Sequence, residues 1–198
     1  MKRAGTGASD PAGAAAAVTG AELALPTSHG CFVCGESNRH GLRLRFRAVG
    51  PDEEGRQGRR VVADTSLCTH HTGFAQRAHG GIVAALLDEA MGWATILRGG
   101  RFSFTGELQV RYLRPAPIGV PLRVEAWVER HNRRMGFAAA RLSARGQEPG
   151  TVGGGDGEAG EVLATATGKF LFTGRAESER IAEQLIYSEG SWRLPSDP

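Results

Sequence analysis

The sequence predicts an α+β domain in which a curled antiparallel sheet of about six strands wraps around one long central helix. Three observations carry that expectation. Residues 80–97 read as an almost wholly apolar helix, and a helix apolar on all sides has to be buried on all sides. Two strand-like runs precede it and four follow it. A single helix beside an antiparallel sheet buries its whole circumference only if the sheet curls round it.

The elements follow in order. Residues 1–26 are rich in Ala and Gly and lack aromatics and periodicity, which predicts a flexible tail. Residues 27–174 form the expected domain and 175–198 a C-terminal helix and tail. Residues 42–47 alternate strictly between apolar and basic, as a half-buried strand does. A turn-rich stretch, 50–58, leads to a second strand at 60–67, and a polar loop over 68–78 enters the helix. Gly99 and Gly100 stop it. Strands follow at 104–113, with Leu108, Val110 and Tyr112 on one side, then at 122–130, 137–144 and 161–172. The Gly-rich excursion 147–160 separates the last two, and 177–187 reads as an amphipathic helix.

Composition narrows the function classes. The 198 residues carry a net charge of +3 and 40% hydrophobic residues, enough for one domain with a real core. No block of five basic residues occurs, so no nucleic-acid partner is expected. A mild positive field suits an anionic ligand and equally suits plain solubility. No apolar run is read as approaching the ~18 residues of a membrane span, and no secretory leader is read at Met1-Lys2-Arg3. Three cysteines fit a reducing compartment, so a cytoplasmic protein is expected.

The chemistry concentrates in His79-Gly80-Gly81 and the helix it opens, with Asp88 and Glu89 in the middle. Gly80 and Gly81 expose backbone N–H groups at the positive end of the helix dipole, where an anion or a developing oxyanion is stabilised. A carboxylate in an apolar helix is costly without a partner or a task. Gly81 and Asp88 stand seven residues apart, roughly 10 Å of helix rise, so one helix cannot bring both to one reacting carbon. Two antiparallel copies across a two-fold axis can, which predicts a symmetric dimer with sites at its interface.

This motif, the run Thr105-Gly106-Glu107-Leu108-Gln109-Val110-Arg111-Tyr112-Leu113-Arg114-Pro115 and the N-terminal Cys31-Phe32-Val33-Cys34-Gly35 to Leu42 together resemble the PaaI-like acyl-CoA thioesterases of the hotdog-fold superfamily over about residues 29–173. The resemblance implies hydrolysis of an acyl-CoA by a homodimer or dimer of dimers, without a cofactor. It implies that Asp88 is the general base or nucleophile and that Thr105 orients the water, a plain surface-strand threonine being the alternative; Glu89, about 100° further round the helix, is expected in a structural contact. Gly80 and Gly81 would polarise the carbonyl. His79 either bonds that carbonyl or fixes the loop, and His71 is a second-rank substrate contact. Arg111 and Arg114 are candidates for CoA phosphates, because guanidinium binds phosphate bidentately; ordinary solvated arginines are the alternative. Trp93, Phe102 and Phe104 either shape an acyl pocket or fill the core.

Cys31 and Cys34, with His29, Cys68 and His71, have spacing that permits zinc. Buried thiols packing the N-terminal segment, outside the active site and without metal, are the expectation. The rival functions are a non-catalytic acyl-CoA-binding protein and a hydratase or dehydratase on the same fold, which fold alone does not separate.

Overall fold

The computed structural model describes residues 22–51, 58–145 and 160–196. Its elements are β1 (Leu23–Ala24), β2 (Thr27–Ser28), β3 (Arg47–Val49), β4 (Arg60–Ser66), β5 (Thr72–Phe74), β6 (Arg77–Ala78), α1 (Gly80–Gly99), β7 (Ser103–Tyr112), β8 (Pro121–His131), β9 (Met135–Ala144), β10 (Val162–Phe172), α2 (Arg175–Ala182) and β11 (Leu185–Ile186). Seven strands form one sheet in the order β1-β3-β4-β8-β9-β10-β7, with every pairing antiparallel. The expected six strands gain the two-residue β1 at one edge. The pairs β2–β11 and β5–β6 form two further small sheets.

The sheet wraps α1, as its apolar circumference demands. Val83, Leu86, Leu87, Ala90, Met91, Trp93, Ala94 and Ile96 of the helix are buried. They belong to one cluster with Val61 and Ala63 of β4, Val124 and Ala126 of β8, Ala138, Ala140 and Leu142 of β9 and Phe170 of β10. Small alanines on the facing strands leave room for the helix. The helix ends as expected: Gly100 adopts the left-handed conformation at φ 61°, and its N–H bonds the Ile96 carbonyl. At 20 residues α1 is also long and apolar enough to cross a membrane, contrary to the sequence reading. Here half of that span is buried, packed on one side against the sheet.

Other differences have local causes. Residues 42–46 are not in the sheet, although Leu44 and Phe46 are buried and Arg43 and Arg45 exposed as alternation predicts. Their backbones pair with loops: the Leu42 and Leu44 N–H groups donate to the Phe32 and Val33 carbonyls, and Leu25 N–H to that of Phe46. The expected tail overlaps the fold at residues 22–26, where β1 pairs with β3 and Leu25 is buried; residues 1–21 lie outside the described residues, as do 52–57 and most of the 147–160 excursion. The 68–78 loop contains a 3-10 turn, Thr69–His71, and the β5–β6 hairpin.

The C-terminal segment is part of the core assembly. The Ser178 hydroxyl accepts from Phe102 N–H at 3.0 Å and contacts Thr173 Oγ1 at 2.7 Å. β11 pairs with β2, Trp192 N–H donates to the Ala24 carbonyl, and the Trp192 ring packs edge-on against Trp93 at 6.3 Å. α2 is shorter than the expected 177–187 helix, because the chain turns into β11 after Ala182.

Candidate functional site

Among the described residues, one cavity adjoins α1 at its N-terminus and another at its middle. The first, about 280 Å3, is lined by Gly80, Val83, Tyr112, Leu113, Arg114 and Ala164 among others. The second, about 220 Å3, is lined by Cys31, Cys34, Asp88, Glu89, Gly92, Trp93, Ile96, Phe102, Thr105 and Phe170, with Ser28 and Leu185 of the β2–β11 pair also on its wall. They share no lining residue. Within one chain, therefore, the Gly-Gly end and Asp88 serve separate spaces, in line with their seven-residue spacing.

At the N-terminus, the sequence reading of Gly81 needs correction. His79 is the N-cap of α1, and its Nδ1 accepts the Gly81 N–H at 3.0 Å. Its carbonyl accepts from Ile82 and Val83. The Gly81 donor is thus committed to the cap, and His79 acts on the helix. Gly80 N–H has no acceptor among the described residues, so it is the donor left for a ligand. The Tyr112 hydroxyl, not singled out from sequence, donates to the Gly80 carbonyl at 2.9 Å and pins this end to β7.

His71 is held beneath the same loop. Its Nδ1 accepts from Cys68 N–H at 3.1 Å, its carbonyl accepts from His79 N–H at 2.8 Å, and burial lowers its pKa, with His70 adding to the effect. It lines neither cavity. Arg114 lines the first cavity but its Nε pairs with Glu161 at 2.8 Å, an exposed bridge. Arg111 lies on the exposed face of β7 with no hydrogen bond or ion pair among the described residues.

At the middle of the helix, the Thr105 hydroxyl donates to Asp88 Oδ1 at 2.9 Å. That contact joins β7 to α1 and fixes the carboxylate, while Oδ2 has no partner among the described residues. Burial pushes the Asp88 carboxyl above its ordinary range, against the pull of Thr105. Trp93 and Phe102 line the cavity beside it, packed edge-on at 6.3 Å, whereas Phe104 is 59% exposed and lines neither cavity.

Cys31, Cys34 and Glu89 occupy this same cavity, which overturns their placement outside the site. Cys31 Sγ lies 3.7 Å from Glu89 Oε1. Burial, then the Cys31 thiolate, push Glu89 up to about 7. The Cys34 thiol, opposed by burial and helped by the Cys34 and Val33 N–H groups, lowers the Cys31 pKa; Cys34 is raised in turn. Cys68 and His71, the other metal candidates, contact each other and do not join the cluster. The signal for the cavity position of Cys31 was absent from local pattern, since its contact to Glu89 spans 58 residues.

Comparison with known proteins agrees with this architecture. The thioesterase superfamily model matches residues 75–150, from the entry loop through α1 to β9 and just beyond. The fold is that of the thioesterase superfamily. Among solved structures, a thioesterase superfamily protein aligns at 24% identity over 73% of this chain and 60% of its own, with a TM-score of 0.57. Zebra fish thioesterase superfamily member 2 aligns at 19% identity over 65% of this chain and 81% of its own, at 0.51. A Streptococcus mutans protein bound to acetyl CoA aligns at 20% identity over 65% and 89%, also at 0.51. No curated protein matches the sequence.

Proposed function

We propose that this hotdog protein is a homodimeric acyl-CoA thioesterase of the PaaI-like kind, hydrolysing the thioester to a free acid and CoA. One observation carries the reading: Asp88 stands half-buried in a cavity lined by both apolar and polar side chains, with one oxygen fixed by Thr105 and the other open. A carboxylate so placed can take a proton from water attacking a carbonyl carbon. The cavity, at about 220 Å3, falls below the ~300–1,000 Å3 of sites that enclose a drug-sized ligand. It suits the acyl group, with the nucleotide of CoA left outside. The protein bound to acetyl CoA shares the fold and supports this class of ligand.

The carbonyl would be polarised by the Gly80 N–H of the partner helix, since the N-terminus and the middle of one α1 open into different cavities. The second copy is supported by β7: it is a ten-residue edge strand exposing Phe104 and Tyr112, and such an edge is a template for pairing. Arg111, on that strand, would meet a CoA phosphate.

Thiol release from a panel of acyl-CoAs tests the reading. Wild type should turn over at least one of them, and Asp88→Asn should fall by at least ~100-fold while still binding it, the lower end for a lost general base. Binding of acyl-CoA without thiol release by wild type would instead make the protein a carrier.

A further inference from the structure

We propose that Cys31, Cys34 and Glu89 form a binding site for a tetrahedral divalent cation, zinc by the softness of its ligands, with its fourth position open to the cavity that holds Asp88. The donor atoms of the three residues lie within 4.8 Å of one another. Zinc bonds of about 2.3 Å to sulfur and 2.0–2.2 Å to oxygen put tetrahedral neighbours roughly 3.5–3.8 Å apart. The Cys31 Sγ to Glu89 Oε1 distance of 3.7 Å already fits.

The backbone around the thiols is shaped to present them. Val33 and Cys34 N–H groups point at Cys31 Sγ from 3.2 and 3.4 Å, which stabilises a thiolate. The turn closes through Gly35 N–H to the Cys31 carbonyl at 3.0 Å, and a Cβ at Gly35 would lie 2.2 Å from that oxygen. Only glycine fits there. Ser28 Oγ accepts the Cys31 N–H, and Asn38 Nδ2 donates to the Gly30 carbonyl, so the loop is tied on both sides.

Charge distinguishes a cation from a disulfide. Glu89 projects into the cavity among Cys31, Cys34 and Trp93, and no Lys, Arg or His among the described residues pairs with it. Oxidation of Cys31 and Cys34 to a disulfide would leave that carboxylate in place without a countercharge. A divalent cation answers the carboxylate and both thiolates at once. Three protein ligands with a free fourth position is the arrangement of an open zinc site, in which water or a bound molecule completes the shell. The site does not depend on the thioesterase reading and is tested without activity.

The full chain, purified reduced, without chelator and after removal of any metal-affinity tag, should carry ~1 equivalent of zinc by mass spectrometry. Cobalt(II) added to the metal-stripped protein should give a thiolate-to-cobalt charge-transfer band. Cys31→Ser with Cys34→Ser should abolish both, with circular dichroism confirming the fold. Glu89→Gln should keep the band and weaken zinc affinity by more than ~10-fold, since it alters a ligand itself where loss of even an outer-shell partner costs about 10- to 100-fold. Reduced wild-type protein that neither retains zinc nor develops the band overturns the site, as does a Cys31–Cys34 disulfide in protein that binds no metal.

Discussion

The two ends of the α1 story differ in how completely their polar groups are satisfied. At the N-terminus, His79 caps Gly81, Tyr112 holds the Gly80 carbonyl, and one N–H remains open. At the middle, two adjacent carboxylates face a partly apolar cavity with a hydroxyl and two thiols for company. The first region is a helix terminus whose hydrogen-bonding groups are used mostly for stability. The second keeps groups under-satisfied in the interior, where unmet polarity is expensive and persists only if something else is gained. Under the proposed function, the acid acts at the middle and the Gly-Gly end keeps a single donor for the ligand.

The largest effect that would break this contrast is the Asp88→Asn loss of turnover already described. Next comes Thr105→Ala. If the full ~1.5–3 kcal/mol of a hydrogen bond to a charged group is felt in the transition state, kcat should fall by roughly 10- to 150-fold, a larger effect than the accompanying drop in stability. Equal losses in kcat and stability would make Thr105 a strut between β7 and α1 and nothing else.

At the other end, His79→Ala should act mainly on stability. Loss of a helix N-cap costs about 1 kcal/mol, roughly 2–4 °C in melting temperature for a chain of this size. Steady-state kinetics at a temperature where the variant is fully folded should show kcat within a few-fold of wild type; a collapse of kcat there would return His79 to the chemistry.

A third carboxylate sharpens the contrast. Asp64, on the outer face of the sheet, is held by Arg123 at 2.8 Å, Arg47 at 3.0 Å and Arg145 at 3.2 Å. Partial burial raises its pKa, but the Arg123 and Arg47 hydrogen bonds, with the Arg123 and Arg145 charges, outweigh it and bring it to about 2. A folded pKa below the unfolded value of about 3.9 stabilises the fold at pH above that value, and the benefit fades as pH falls toward about 2. Asp64→Asn should therefore lower denaturant midpoints at pH 7 and much less at pH 2.5; an unchanged gap at the two pH values would contradict the assignment.

The sequence made the core of this site legible because its signals are local. An apolar run of helical length, two glycines before it and a following alternating strand are enough to place α1, β7, Asp88 and Thr105. Side-chain hydrogen bonding across a turn is not periodic, so the use of the Gly81 N–H by His79 could not be read. Cys31 reaches Glu89 across 58 residues of sequence, a contact set by long-range packing. Likewise 42–46 alternates like a strand yet lies against loops, since alternation reports burial on one face and not the identity of the hydrogen-bond partner.

The central claim is that each site joins the acid of one α1 to the N-terminus of another, and mixing two inactive variants tests it most directly. Gly80→Pro removes the open N–H yet suits the first position of a helix, and His79 before it already has the extended backbone, φ −61° and ψ 136°, that a following proline requires. Asp88→Asn removes the acid. Each variant alone should be nearly inactive in thiol release. After subunit exchange, with mixed dimers verified by mass, one intact site per heterodimer should restore about a quarter of wild-type activity at statistical mixing. Verified heterodimers that stay as inactive as their parents would contradict the claim and put both groups of each site in one chain.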